Sequence, residues 1–228
     1  MSGRLWVKIC GNTSLEDALV AAEAGASAAG FVFAPSKRQV TVEQVAEITP
    51  QLPAYFEKIG VFVDASFEQI VQAVEMAGLT GVQLHSAADS GISDRLRTHF
   101  GPGLRLLQVI HYQQELGSQL AAASRNAALD GVLVDSRTAT LVGGTGVRFD
   151  WHAARKSLAE AANGLKIIIA GGLDPENVGE AIATLRPWGV DVVTGVEAAP
   201  GQKDHAKVKA FVQNARIAAS KLETPVQV

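Results

Sequence analysis

Eight short apolar runs, rich in β-branched residues, alternate with eight longer amphipathic stretches through nearly the whole chain. The runs are Leu5–Cys10, Ala28–Phe33, Lys58–Val63, Gly81–His85, Arg105–Ile110, Gly131–Asp135, Lys166–Ala170 and Asp191–Val193. They are almost continuously apolar instead of alternating, which marks parallel strands covered on both faces. Helix starts are expected near Ser14, Thr41, Ser66, Asp89, Gln113, Asp150, Pro175 and Asp204. Ser14-Leu-Glu-Asp17 and Ser66-Phe-Glu-Gln69 have capping-box spacing, and Asp174-Pro175-Glu176 offers an N-cap followed by proline at the first helical position. Ala24-Gly25 and Ala77-Gly78 end two helices with the glycine that a left-handed cap needs.

The pattern predicts α/β architecture, a single (β/α)8 TIM barrel over residues 1–228, with a loose tail from about residue 220 where periodicity fades. The alternative is an open doubly wound sheet. That fold normally carries its strongest glycine fingerprint after the first strand, where this chain has only CGNTS. Here the glycine-rich loops come late, after the sixth, seventh and eighth strands, as in barrels with a phosphate site.

At 228 residues, 47% hydrophobic and 19% charged, the chain suits one soluble domain with a substantial core. A net charge of −3 gives no electrostatic case for nucleic acid or an anionic membrane surface. Cys10 is the only cysteine, so no internal disulfide can form. The opening MSGRLWVKICG enters a strand pattern at once, and no run approaches the roughly 18 apolar residues of a membrane span. The expectation is a cytoplasmic protein, monomer or homodimer.

Closing a barrel gathers strand ends distant in sequence onto one rim, where active sites of this fold lie. Cys10 ends the first strand and Asp135 the sixth. Lys8 shares a face with Cys10, because residues two apart on a strand point the same way. Free cysteine is often only a small buried hydrophobe, and an ordinary thiol, with pKa of roughly 8.5, needs help to ionise near neutrality. As an acid, Asp135 would need burial or a negative neighbour; otherwise it merely caps a turn. Glycine backbones at Gly144, Thr145 and Gly146, at Gly171 and Gly172, and at Thr194 and Gly195 could together cradle a phosphate dianion. Arg38, in the loop after the second strand, could grip a carboxylate with two parallel hydrogen bonds. Gln83 and His85, on one face of the fourth strand, either line the pocket or settle a core bond. Metal binding is not expected, since the five histidines have no ligand spacing. Asp191, on the strand that neighbours the first once a barrel closes, is expected to pair with Lys8 inside it.

Taken together, KICGNTSLEDA, GFVFAPSKR, IGVFVD, GVQLH, LVDS followed by GGTGVRFDW, AGGLDPENV and DVVTGVEAAPGQKDH resemble phosphoribosylanthranilate isomerase of tryptophan biosynthesis, over about residues 5–218. The resemblance implies a cofactor-independent Amadori rearrangement of a phosphorylated small molecule, N-(5'-phosphoribosyl)anthranilate. It implies Cys10 as general base, Asp135 as general acid and Arg38 as the anthranilate-carboxylate residue, with phosphate on the three glycine loops. Asn12, Ser86 and the Val193-Thr194 pair depart from the family pattern. The rival readings are the related histidine-pathway isomerase, which uses two aspartates where this chain has Cys10 for the first, and a phosphate-ligand-binding barrel without catalysis.

Overall fold

The strands close on themselves. In the computed structural model, which describes residues 4–85, 91–112, 115–135, 151–161 and 165–223, eight parallel strands form a barrel in sequence order, with the last paired to the first. They are β1 (Trp6–Ile9), β2 (Ala28–Val32), β3 (Glu57–Val63), β4 (Gly81–His85), β5 (Arg105–His111), β6 (Gly131–Asp135), β7 (Lys166–Ala170) and β8 (Gly189–Val192). Between and after them run α1 (Leu15–Glu23), α2 (Val42–Ile48), α3 (Phe67–Met76), α4 (Ile92–Phe100), α5 (Leu116–Ala123), α6 (Trp151–Ala161), α7 (Val178–Leu185) and α8 (His205–Glu223). A short antiparallel hairpin, β9 (Glu197–Ala199) with β10 (Gln202–Lys203), lies between β8 and α8.

Local signals explain several boundaries. Ser66 with Gln69, and Thr41 with Gln44, form complete capping boxes at α3 and α2. At α1 the box is half-made: Ser14 accepts from Asp17 N, but the Asp17 carboxylate turns away to accept from Lys203 N at 3.2 Å and to meet His205 Nε2 at 2.9 Å. At α7 the N-cap is Asn177, three residues after the expected Asp174; the two residues exchange side-chain-to-backbone bonds of 2.8 and 3.1 Å across the Pro175-Glu176 turn, and the helix begins at Val178 instead of Pro175. Gly25 and Gly78 hold positive φ as predicted. The predicted starts at Asp89, Gln113 and Asp150 lie outside the described residues. Helix α8 continues past Ser220 to Glu223. Among the described residues no helix is long and apolar enough to cross a membrane.

Strand β8 begins two residues before its apolar run suggests. Gly189 permits this: a Cβ there would lie 2.8 Å from Trp6 O, so only glycine lets β8 approach β1 so closely. The resulting register sets Lys8 beside Asp191 and Ile9 beside Val192. Outward-facing residues such as Val7, Ile9, Phe31, Val132, Ile169 and Val190 pack beneath the helices in the larger core cluster. Inside the barrel, Trp6, Ala28, Ile59, Leu107, Leu133 and Ile168 form a second cluster. Fully burying side chains of this size contributes about 1.5–3 kcal/mol each, so the two layers supply the main drive for closure.

Candidate active site

The carboxyl ends of the strands carry the polar residues. The Cys10 amide continues the β1 pairing by donating to Val192 O at 2.9 Å, although the regular strand ends at Ile9. Cys10 is buried at 4% exposure, and Lys8, two residues before it on the same face, is wholly buried. Lys8 Nζ donates to Asp191 Oδ1 at 2.7 Å and to Gln83 Oε1 at 2.9 Å, so the expected pairing across the barrel seam exists. Gly30 makes room for this group: a Cβ there would stand 2.6 Å from Cys10 Sγ and 2.9 Å from Lys8 Cε.

The electrostatics follow from that packing. Burial pushes the Cys10 thiol up; Lys8 pulls against it, Asp191 adds to it, and the net direction is upward. Burial would lower Lys8, but Asp191 and Cys10 outweigh it and hold the ammonium above its ordinary range. Burial thus makes the thiol harder to ionise, while the neighbouring Lys8 ammonium favours its ionised form.

Asp135 closes β6, buried at 9% exposure, with its own carbonyl accepting from Tyr112 N at 2.8 Å. It lines one pocket with Gly171, Gly172, Asp191 and Thr194. Asp191 thus bridges the two candidate residues, lining the Asp135 pocket while pairing with the lysine behind Cys10. Gly171 and Gly172 both take positive φ, at 81° and 65°. Gly195 passes so close to the preceding loop that a Cβ would fall 2.0 Å from Leu173 O. Glycine is required there by contact between the loops after β7 and β8, independently of any ligand. Gly144, Thr145 and Gly146 lie outside the described residues.

Gln83 settles core bonds and reaches the rim together. Its oxygen accepts from Lys8, so its amide nitrogen faces His85 Nε2 at 3.0 Å. Read through that network, His85 Nε2 accepts and the ring proton sits on Nδ1. Asn12, one of the departures from the family pattern, is fully buried and donates to Ile9 O at 2.7 Å and Gly30 O at 3.2 Å, tying the end of β1 to β2. Among the described residues no group of three or more His, Cys, Asp or Glu could hold a metal ion.

Arg38 lies over the turn after β1, where a Cβ on Gly11 would meet its Cδ at 2.8 Å. Its guanidinium is engaged by a residue that local sequence reasoning did not single out. Nε and Nη2 donate to Glu197 Oε1 and Oε2 at 2.7 and 2.6 Å. Lys203, equally unforeseen, donates to Cys10 O at 2.6 Å and to Glu197 Oε1 at 3.3 Å. The available signal was two opposite charges flanking a Pro200-Gly201 turn just beyond the last strand.

Comparison with known proteins points to one family. Residues 7–214 match the family model described as N-(5'phosphoribosyl)anthranilate (PRA) isomerase. An N-(5'-phosphoribosyl)anthranilate isomerase from Geobacter sp. (strain M21) is 39% identical over 211 residues, covering 92% of this chain and 97% of the relative. The crystal structure of phosphoribosyl anthranilate isomerase from Thermotoga maritima superposes with a TM-score of 0.79 at 36% identity, covering 93% of this chain and 98% of that one. A phosphoribosyl anthranilate isomerase in complex with reduced 1-(o-carboxyphenylamino)-1-deoxyribulose 5-phosphate gives 0.78 at 34% identity, with the same coverage. With the barrel, the matched span and the level of identity in agreement, the chain belongs to the N-(5'-phosphoribosyl)anthranilate isomerase family.

Proposed function

We propose that this protein converts N-(5'-phosphoribosyl)anthranilate to 1-(2-carboxyphenylamino)-1-deoxyribulose 5-phosphate, with Asp135 as general acid and Cys10 as general base. The observation that supports the reading is Asp191, which lines the Asp135 pocket and pairs with Lys8, two residues before Cys10 on the same face of the first strand. Asp135 protonates the furanose ring oxygen, the C1'–O bond breaks, and the nitrogen lone pair forms a Schiff base. The ionised Cys10 then removes the C2' proton, acidified by the adjacent iminium, and the resulting enolamine tautomerises to the ketone. The iminium charge also favours the thiolate, adding to Lys8 against the cost of burial. One acid and one base suffice, since both steps are proton transfers at one sugar. The backbones of Gly171, Gly172, Thr194 and Gly195, with Gly144, Thr145 and Gly146, would hold the phosphate, while Arg38 takes the carboxylate. Anchoring both ends aligns the middle of the substrate.

The test is loss of substrate fluorescence with freshly generated phosphoribosylanthranilate, for wild type and Cys10→Ser across pH. Because the Cys10 thiol lies above its ordinary range, kcat/KM of the wild type is expected to rise through neutral into alkaline pH as the thiol ionises. Cys10→Ser is expected to lose about 10²-fold or more in turnover together with that alkaline rise. An unchanged profile in Cys10→Ser removes Cys10 as the base. No wild-type turnover with intact binding of the phosphorylated product favours the non-catalytic barrel.

A further inference from the structure

We infer that Glu197 is a resident carboxylate that fixes the Arg38 guanidinium for the substrate's carboxylate, and that Lys203 ties this grip to the turn carrying Cys10. The inference rests on Arg38 being the carboxylate-binding residue. Glu197 cannot readily withdraw. Its Oε1 accepts from Arg38 Nε, from Gly201 N at 3.2 Å and from Lys203 Nζ, while Oε2 accepts from Arg38 Nη2. Its side chain is 5% exposed, and releasing any donor would strand buried charge. Arg38 has donors to spare, because a guanidinium is planar and carries five N–H groups. The fork to Glu197 uses the Nε edge and leaves the Nη1–Nη2 edge for a second carboxylate. Fixing one edge of a rigid plane fixes the other. With Lys203 as ammonium, the three side chains carry one net positive charge, matched to one carboxylate.

The surrounding backbone binds these parts into a clasp. The β9–β10 hairpin reaches the turn after β1 through Thr13 Oγ1, which donates to Gly201 O at 2.6 Å. It also touches the Arg38 loop, since a Cβ on Gly201 would lie 3.2 Å from Lys37 O. Lys203 Nζ, wholly buried, completes the connection at Cys10 O. Carboxylate grip and thiol turn are therefore held by one element.

The experiment compares calorimetric binding of reduced 1-(o-carboxyphenylamino)-1-deoxyribulose 5-phosphate with that of its phenylamino counterpart lacking the carboxylate. Glu197→Gln is expected to weaken the carboxylated ligand by about tenfold or more and the other by less than about twofold, with KM raised and kcat little changed. Arg38→Ala is expected to show the same discrimination, and the double variant to lose little beyond Arg38→Ala alone. Should Glu197→Gln fail to fold, Glu197→Asp keeps the charge but draws it back by one methylene, and a selective loss of several-fold is expected. Tighter binding of the carboxylated ligand by either variant would make Glu197 a competitor, and equal weakening of both ligands would make it merely structural; either result overturns the inference. If Arg38→Ala does not discriminate between the ligands, the assignment of Arg38 itself has failed. If it discriminates and the Glu197 variants do not, only the role of Glu197 has failed.

Discussion

The two ends of the barrel are built from the same inward-facing positions and treat their polar groups in opposite ways. At the amino-terminal end, Trp6 and Trp188 stack with ring centroids 5.4 Å apart, and Arg105 lies over the Trp188 ring at 5.3 Å. Arg105 is also held by Glu57 through two bonds of 2.6 and 2.8 Å, and Lys166 covers Trp188 at 5.0 Å. Arg105 and Lys166 there each meet a counter-ion or an aromatic face. At the carboxyl-terminal end the buried Asp135 lines a pocket with Gly171 and Gly172, the Cys10 thiol lies beside Lys8, and Arg38 is forked to Glu197 through Nε and Nη2. The difference teaches that an inward polar residue signals chemistry only where its neighbours leave it something to do.

If the division is real, each end should fail in its own currency. Asp135→Asn has the largest expected effect, lowering kcat by about 10²–10⁴-fold while the melting temperature moves by only a few degrees. Near-normal turnover would remove Asp135 as the acid. Trp6→Ala, at the amino-terminal end, is expected to cost about 3–5 kcal/mol of stability, roughly 10 °C in melting temperature, with kcat retained below the transition. A loss of kcat in that folded variant would break the comparison. Arg38→Ala should raise KM about tenfold to a hundredfold with a smaller change in kcat, read from saturation kinetics. Arg105→Leu is the mildest, at about 1 kcal/mol in chemical denaturation, because its pair with Glu57 is partly exposed at 21% and 25%.

What could be read in the sequence was whatever a short window carries. Period, caps and glycine positions gave the eight units and their order. The pairing of Lys8 with Asp191 also followed, since closure makes the first and last strands neighbours. Where the apolar run understates β8, the missing information was steric, in the approach of Gly189 to Trp6. The clasp was harder to see. Arg38 and Glu197 lie 159 positions apart, and neither flanking segment has a pattern that names the other. Asp17 shows the same limit: its spacing from Ser14 predicts a capping box, but His205 and the backbone of Lys203, brought in by the fold, claim the carboxylate. Gly30 looks like an ordinary strand glycine until Cys10 and Lys8 are placed across from it.

The pairing of Lys8 with Asp191 has a consequence for synthesis. The two residues are separated by 183 positions. At about 5–20 residues per second, a ribosome takes about 10–40 s to deliver the aspartate after the lysine. Through that interval β1 is the open margin of an unfinished sheet, exposed to any other strand in the cell. An inward-pointing charge on such a margin discourages foreign strands from docking, because it would be left without a counter-ion. The ammonium that later stands behind the thiol thus protects the nascent barrel, until the strand bearing its own carboxylate arrives.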